Sequence, residues 1–134
     1  MGVKEASGSV DQVKAIAAGA EDSFAIYSGD DGLTLDFMKE GACGVVSVAS
    51  HIVGSKMQDM IEIFYRSEIA AYDIQRSLTD LFKVLFISAN PVPVKAALRL
   101  LGYQVGSVRL PLVELNADEL TQVKLSLKTL GLLA

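Results

Sequence analysis

The chain has 134 residues, which fits one domain or two small ones, and its 51% hydrophobic and 21% charged residues are ordinary for a globular protein. The net charge is -4, from 12 basic and 16 acidic residues, and no Lys/Arg cluster marks a nucleic-acid surface. A single cysteine excludes an internal disulfide, no apolar run approaches the ~20 residues of a membrane helix, and no signal-peptide pattern opens the chain, so the expected compartment is the cytoplasm.

The opening "MGVKEA" reads as a short strand that ends near Lys4. A lysine at a strand tip is either a solvated charge, with Glu5 beside it as a partner, or a nucleophile whose amine is freed by burial at the apolar mouth of a sheet. "SGSVDQVKAIAAGA" predicts a helix over 10–18, with Val10, Val13, Ile16 and Ala17 at helical spacing and Ser9 with Gln12 in the capping-box pattern. "SFAIYS" (23–28) predicts a strand, "GDDG" a turn, and "LTLDFMKEG" a short helix closed by Gly41. In the turn, Asp30 and Asp31 are a pair of adjacent carboxylates with no His or Cys nearby. Either they shape the turn and cap the helix, with Gly29 enabling it, or the backbone there holds an anion, or the two carboxylates bind a metal, for which an adjacent pair alone is a weak signal.

"GVVSVAS" (44–50) is apolar enough for a strand buried on both faces, as in a parallel sheet. It is followed by a helix over 56–66, with Ser55 as N-cap and Met57, Met60, Ile61 and Phe64 on one face. Cys43 is expected to be a small buried thiol, and His51, the only histidine, a solvated or structural residue near the third strand's rim.

No strand is predicted beyond Ser67. "EIAAYDIQRSLTDLFKVLFISA" predicts one long amphipathic helix with Ile74, Leu78, Leu81 and Leu85 on its stripe, and "NPVPV" breaks it. "PVKAALRLLG" predicts a short helix ending at Gly102. After a loop, Asn116 with Glu119 caps a last helix whose Leu120, Val123 and Leu127 face inward. Repeated βα units followed by helices make the fold class α/β, with a parallel sheet.

Five segments recur here in the order and spacing of one family: "GVKEASGS", "YSGDD", "GACGVVSVASH", "NPVPVKAAL" and "RLPLVEL". Together they resemble the C-terminal half of bacterial dihydrodipicolinate synthase, also called 4-hydroxy-tetrahydrodipicolinate synthase, over essentially the whole chain. The resemblance implies the last three βα units of a TIM (β/α)8 barrel (residues 1–67) and a C-terminal all-helical domain (68–134). It implies class I aldolase chemistry, in which a lysine forms a Schiff base with pyruvate and the enamine attacks aspartate semialdehyde, in lysine/diaminopimelate biosynthesis. Lys4 matches that lysine, Gly29 the loop that approaches pyruvate, and Val46 a position whose main chain contacts it. No metal or other cofactor is implied. A homo-oligomer is, with the helix over 10–18 as one candidate contact.

Such a barrel needs ~250 residues. The proton-relay hydroxyls and the arginine for the second substrate belong to the family's other half. The expectation is therefore a fragment, a truncated gene product or an engineered half-barrel, with negligible turnover alone. The alternatives are an inactive self-associating half-barrel, or another pyruvate-dependent aldolase such as N-acetylneuraminate lyase.

Overall fold

A computed structural model describes all 134 residues. Three short strands form a parallel sheet in the order β1-β2-β3: β1 (Gly2–Glu5), β2 (Ala25–Ser28) and β3 (Gly44–Val45). Helices α1 (Val10–Gly19) and α2 (Thr34–Lys39) connect them. Then come α3 (Ser50–Phe64), α4 (Glu68–Val84), α5 (Val92–Leu100) and α6 (Ala117–Thr129). The α/β class and the parallel sheet agree with the sequence pattern.

The chain divides into two compact units, one of residues 1–47 with 55–76, the other of residues 48–54 with 77–134. In the first, Val13, Ile26, Leu35, Phe37, Met57 and Met60 are buried. In the second, Leu78, Leu81, Leu85, Val92, Val123 and Leu127 are buried.

The helix ends follow local rules. Ser9 Oγ accepts the Gln12 N–H at 3.3 Å at the start of α1. The reciprocal half of that capping box is not made, because the Gln12 amide donates to Glu5 Oε2 at 3.0 Å instead. At α6 both halves form: Asn116 Oδ1 accepts from the Glu119 N–H, and Glu119 Oε2 accepts from the Asn116 N–H, each at 2.9 Å. Gly41, at φ +105, closes α2 in a conformation few other residues adopt. The Ala42 N–H reaches the Phe37 carbonyl at 3.0 Å and the Gly41 N–H the Met38 carbonyl at 3.2 Å, the Schellman pattern.

Several expectations are corrected. The strand expected over 44–50 is only Gly44–Val45, extended by the Val46 N–H to the Ser28 carbonyl at 2.8 Å. Val46 is 49% exposed, so this run is not buried on both faces. A short apolar run does not distinguish strand from helix by pattern alone, and here its end, Ser50, opens α3. Ser55 is therefore inside α3, not its N-cap; α3 is bent earlier, at Val53 (φ -123, ψ 38).

Helix α4 stops at Val84 rather than near Ala89. Its last turn tightens to Phe86 N–H to Lys83 carbonyl and Ile87 N–H to Val84 carbonyl bonds, at 3.1 and 3.3 Å. Leu120 is 38% exposed, so the stripe of α6 is buried only from Val123 onward. No helix is long and apolar enough to cross a membrane.

Candidate functional site

The site is built where β1, β2 and β3 end, the rim at which parallel α/β sheets place reactive groups. Pairing sets Lys4 opposite Tyr27 and Glu5 opposite Ser28. Tyr27 in turn lies opposite Gly44, and Ser28 opposite Val45. Because strand residues alternate faces, Lys4 and Tyr27 share one face while Glu5 and Ser28 share the other. The first face is open: Lys4 is exposed and Tyr27 is 41% exposed. The second is closed, with Glu5 6% and Ser28 0% exposed.

This alternation overturns the idea that Glu5 pairs with Lys4. The Glu5 carboxylate turns inward, where it accepts the Ser7 N–H and the Gln12 amide and clamps the loop between β1 and α1. Hydrogen bonds from Ser7, then from Gln12, outweigh burial and hold its pKa below the ordinary carboxylate value. Lys4 is not enclosed by the apolar mouth expected around its amine.

Gly29 lies directly against this strand end. Its N–H donates to the Glu5 carbonyl at 2.7 Å. A Cβ at Gly29 would stand 2.6 Å from Ala6 Cβ, 2.8 Å from Lys4 Cε and 3.0 Å from the Glu5 carbonyl oxygen, so only hydrogen fits. Val46 is joined to the neighbouring Ser28 carbonyl through its own N–H. Lys4, Gly29 and Val46, far apart in sequence, thus stand at the ends of adjacent strands.

The "SGDDG" turn is organised by Asp30. Its Oδ1 accepts from the Gly32 N–H at 2.8 Å and the Leu33 N–H at 3.1 Å. Those two donors are therefore taken and do not hold an external anion. The Asp30 carbonyl accepts the Ser28 hydroxyl at 2.8 Å and the Thr34 hydroxyl at 2.9 Å. Ser28 and Thr34, both fully buried, brace the loop carrying Gly29. Sequence reasoning passed over them, although a Ser two residues before an Asp is a turn signal. No group of three or more His, Cys, Asp or Glu side chains converges as a metal site. His51 is exposed on the first turn of α3.

Cys43 is exposed rather than buried, because it sits at the margin of the open sheet. Its Sγ lies 3.4 Å from the Ile26 carbonyl, and the thiol raises the pKa of neighbouring Tyr27. A second cluster, also unforeseen, joins α2 to the start of α4. The Tyr72 hydroxyl donates to Asp36 Oδ1 at 2.6 Å, and Lys39 stands 4.9 Å from the Tyr72 ring centre while pairing with Glu68 at 3.0 Å. Burial, then the Asp36 carboxylate, raises the Tyr72 pKa.

A 4-hydroxy-tetrahydrodipicolinate synthase of Halalkalibacterium halodurans is 49% identical over 126 residues, which is 93% of this chain and 43% of that protein. The crystal structure of the Cyanidioschyzon merolae dihydrodipicolinate synthase with lysine bound superposes with a TM-score of 0.96 at 46% identity, over 98% of this chain and 45% of that one. The chloride-inhibited Acinetobacter baumannii dihydrodipicolinate synthase complexed with pyruvate superposes with a TM-score of 0.92 at 31% identity, over 99% and 46%. The chain spans less than half the length of the curated relatives it matches. Residues 1–130 match the Dihydrodipicolinate synthetase family, and the chain belongs to it.

Proposed function

We propose that this chain is the C-terminal portion of a synthase that condenses pyruvate with aspartate semialdehyde, a Schiff-base lyase of class I aldolase type in lysine/diaminopimelate biosynthesis. In this reading residues 1–67 are the last three βα units of a (β/α)8 barrel, and 68–134 are its C-terminal helical domain. The Lys4 amine attacks the keto carbon of pyruvate and water leaves, giving an imine. Loss of a methyl proton gives an enamine, whose carbon adds to the aldehyde. The Gly29 backbone lines one side of the bound pyruvate and the Val46 main chain another.

One observation carries this reading: the Gly29 backbone lies so close to Lys4 that a Cβ would stand 2.8 Å from Cε, so the Lys4 side chain runs against bare main chain rather than a side chain. The pyruvate in the Acinetobacter baumannii relative supports the first substrate. The test is borohydride trapping with pyruvate, read by intact mass. An adduct is expected on the chain and none on Lys4→Ala. No adduct on the unaltered chain, or one that persists in Lys4→Ala, overturns the proposal. Without the proton-relay groups of the family's other half, turnover by this chain alone falls by ~10²–10⁴-fold or more.

The open sheet favours a second reading for the isolated chain, self-association without useful turnover. Tyr27 and Val46 are exposed, and β1 and β3 each pair with β2 alone. Unpaired strand edges recruit other strands. Light scattering on a sizing column is expected to give a dimer or higher oligomer, and a folded monomer at micromolar concentration removes this reading.

A further inference from the structure

The second unit holds a cavity of about 320 Å³ between α4 and α6. That is the lower end of the size range of small-molecule sites. Its walls combine opposite charges, hydroxyls and apolar surface. Asp80 and Lys83 line it from α4, three residues apart on one side of that helix, and neither takes part in an ion pair. Gln122 and Ser126 line it from α6, one turn apart.

Ser126 is the informative residue. It is only 6% exposed, and its hydroxyl has no hydrogen-bond partner in the protein. Buried hydroxyls are nearly always paired, so an unpaired one on a cavity wall points to a group that enters from outside. Thr129, at the end of the same stripe, donates to the Leu125 carbonyl at 3.1 Å, which leaves its oxygen free to accept. The Val84 and Leu125 side chains complete the wall, and Leu125 is 64% exposed.

We infer that this cavity binds a small zwitterion with an aliphatic body, of the class of neutral α-amino acids. The ligand ammonium faces Asp80 and its carboxylate faces Lys83. Ser126 and Gln122 donate to the carboxylate, and the side chain lies on Val84 and Leu125. A lone anion meets Lys83 at the cost of standing beside Asp80, and a lone cation meets the reverse, so only a ligand with both charges satisfies both residues. Both charges remain near solvent, so the affinity is modest, in the millimolar range. The inference is independent of Lys4 and of the reaction proposed for it.

The test is a titration of the 134-residue chain with L-leucine, followed by backbone amide NMR. Saturable shifts are expected in residues 80–84 and 122–129. Isovalerate and isoamylamine, each lacking one of the two charges, are expected to bind at least about tenfold more weakly. Lys83→Gln and Asp80→Asn are each expected to weaken leucine about tenfold, and Ser126→Ala several-fold. The spectra also report whether each variant is folded, and the two exposed charges offer independent readings. The inference is overturned if leucine shifts no amides in these helices, if isovalerate or isoamylamine binds as well as leucine, or if both charge variants bind leucine unchanged.

Discussion

Replacing Gly29 by alanine tests the geometry of the strand-end site directly. The new methyl meets Ala6 Cβ at 2.6 Å, Lys4 Cε at 2.8 Å and the Glu5 carbonyl oxygen at 3.0 Å. Lys4 is a flexible chain and can swing away at little cost. Ala6 Cβ and the Glu5 carbonyl cannot, because β1 is held by its pairing with β2 and the Gly29 N–H is bonded to that same carbonyl at 2.7 Å. Relief therefore requires the loop and β1 to separate by several tenths of an ångström, stretching that bond. Overpacking of this kind costs about 1–3 kcal/mol. Urea unfolding followed by circular dichroism measures it as a lower midpoint at unchanged slope. Gly19→Ala is the control: it adds a methyl that meets nothing within 4 Å, at the end of α1, and is expected to be neutral or slightly stabilising. The displaced Lys4 is also expected to trap less pyruvate with borohydride in Gly29→Ala. Equal stability of Gly29→Ala and the unaltered chain would refute the reasoning, as would an equal loss in Gly19→Ala.

Three further outcomes are expected. The Glu5 pKa is lowered on folding from its ordinary 4.5, so the stability it contributes is present above that value and is lost as pH falls through the lower folded value; Glu5→Gln removes this part of the acid transition, seen as a flatter midpoint-against-pH curve on the acid side. Tyr72→Phe removes the hydrogen bond to Asp36 and is expected to cost about 1–3 kcal/mol by chemical denaturation, whereas Arg76→Ala, which breaks an exposed pair with Asp73, costs roughly 0–1 kcal/mol. Asn116→Ala removes the Oδ1 acceptor for the Glu119 N–H at the start of α6, while the Asn116 backbone N–H still donates to Glu119; it is expected to cost about 1 kcal/mol, with Asn116→Asp recovering most of it.

What was legible in the sequence was local. Ser9 before α1, Asn116 with Glu119 before α6, and Gly41 after α2 act within a few residues of themselves, so their roles follow from type and spacing. Lys4, Gly29 and Val46 were singled out by resemblance, and the backbone brings all three to one rim. The misses are about faces and distances. Adjacency offers Glu5 as a partner for Lys4 in the solvated-charge reading, but strand alternation turns neighbours to opposite sides. The run from Gly44 to Ser50 carries no period, so its change from strand to helix left no mark. Cys43 reads as a small buried thiol and the 44–50 run as a strand buried on both faces, but one face of the sheet is open, so Cys43 and Val46 are exposed. The Tyr72–Asp36 bond spans 36 residues and has no sequence signature.

The exposure of Cys43 makes it a built-in reporter. It is the chain's one thiol, at the margin of the sheet, so a maleimide or spin label attaches at a single known point. Oxidation between chains can yield only one kind of covalent pair, with no internal scrambling to confuse it. The rate at which this thiol is alkylated then becomes a footprint of the open sheet. If it slows as protein concentration rises, something has settled over β3, and a label placed there reads out which strand or helix arrived.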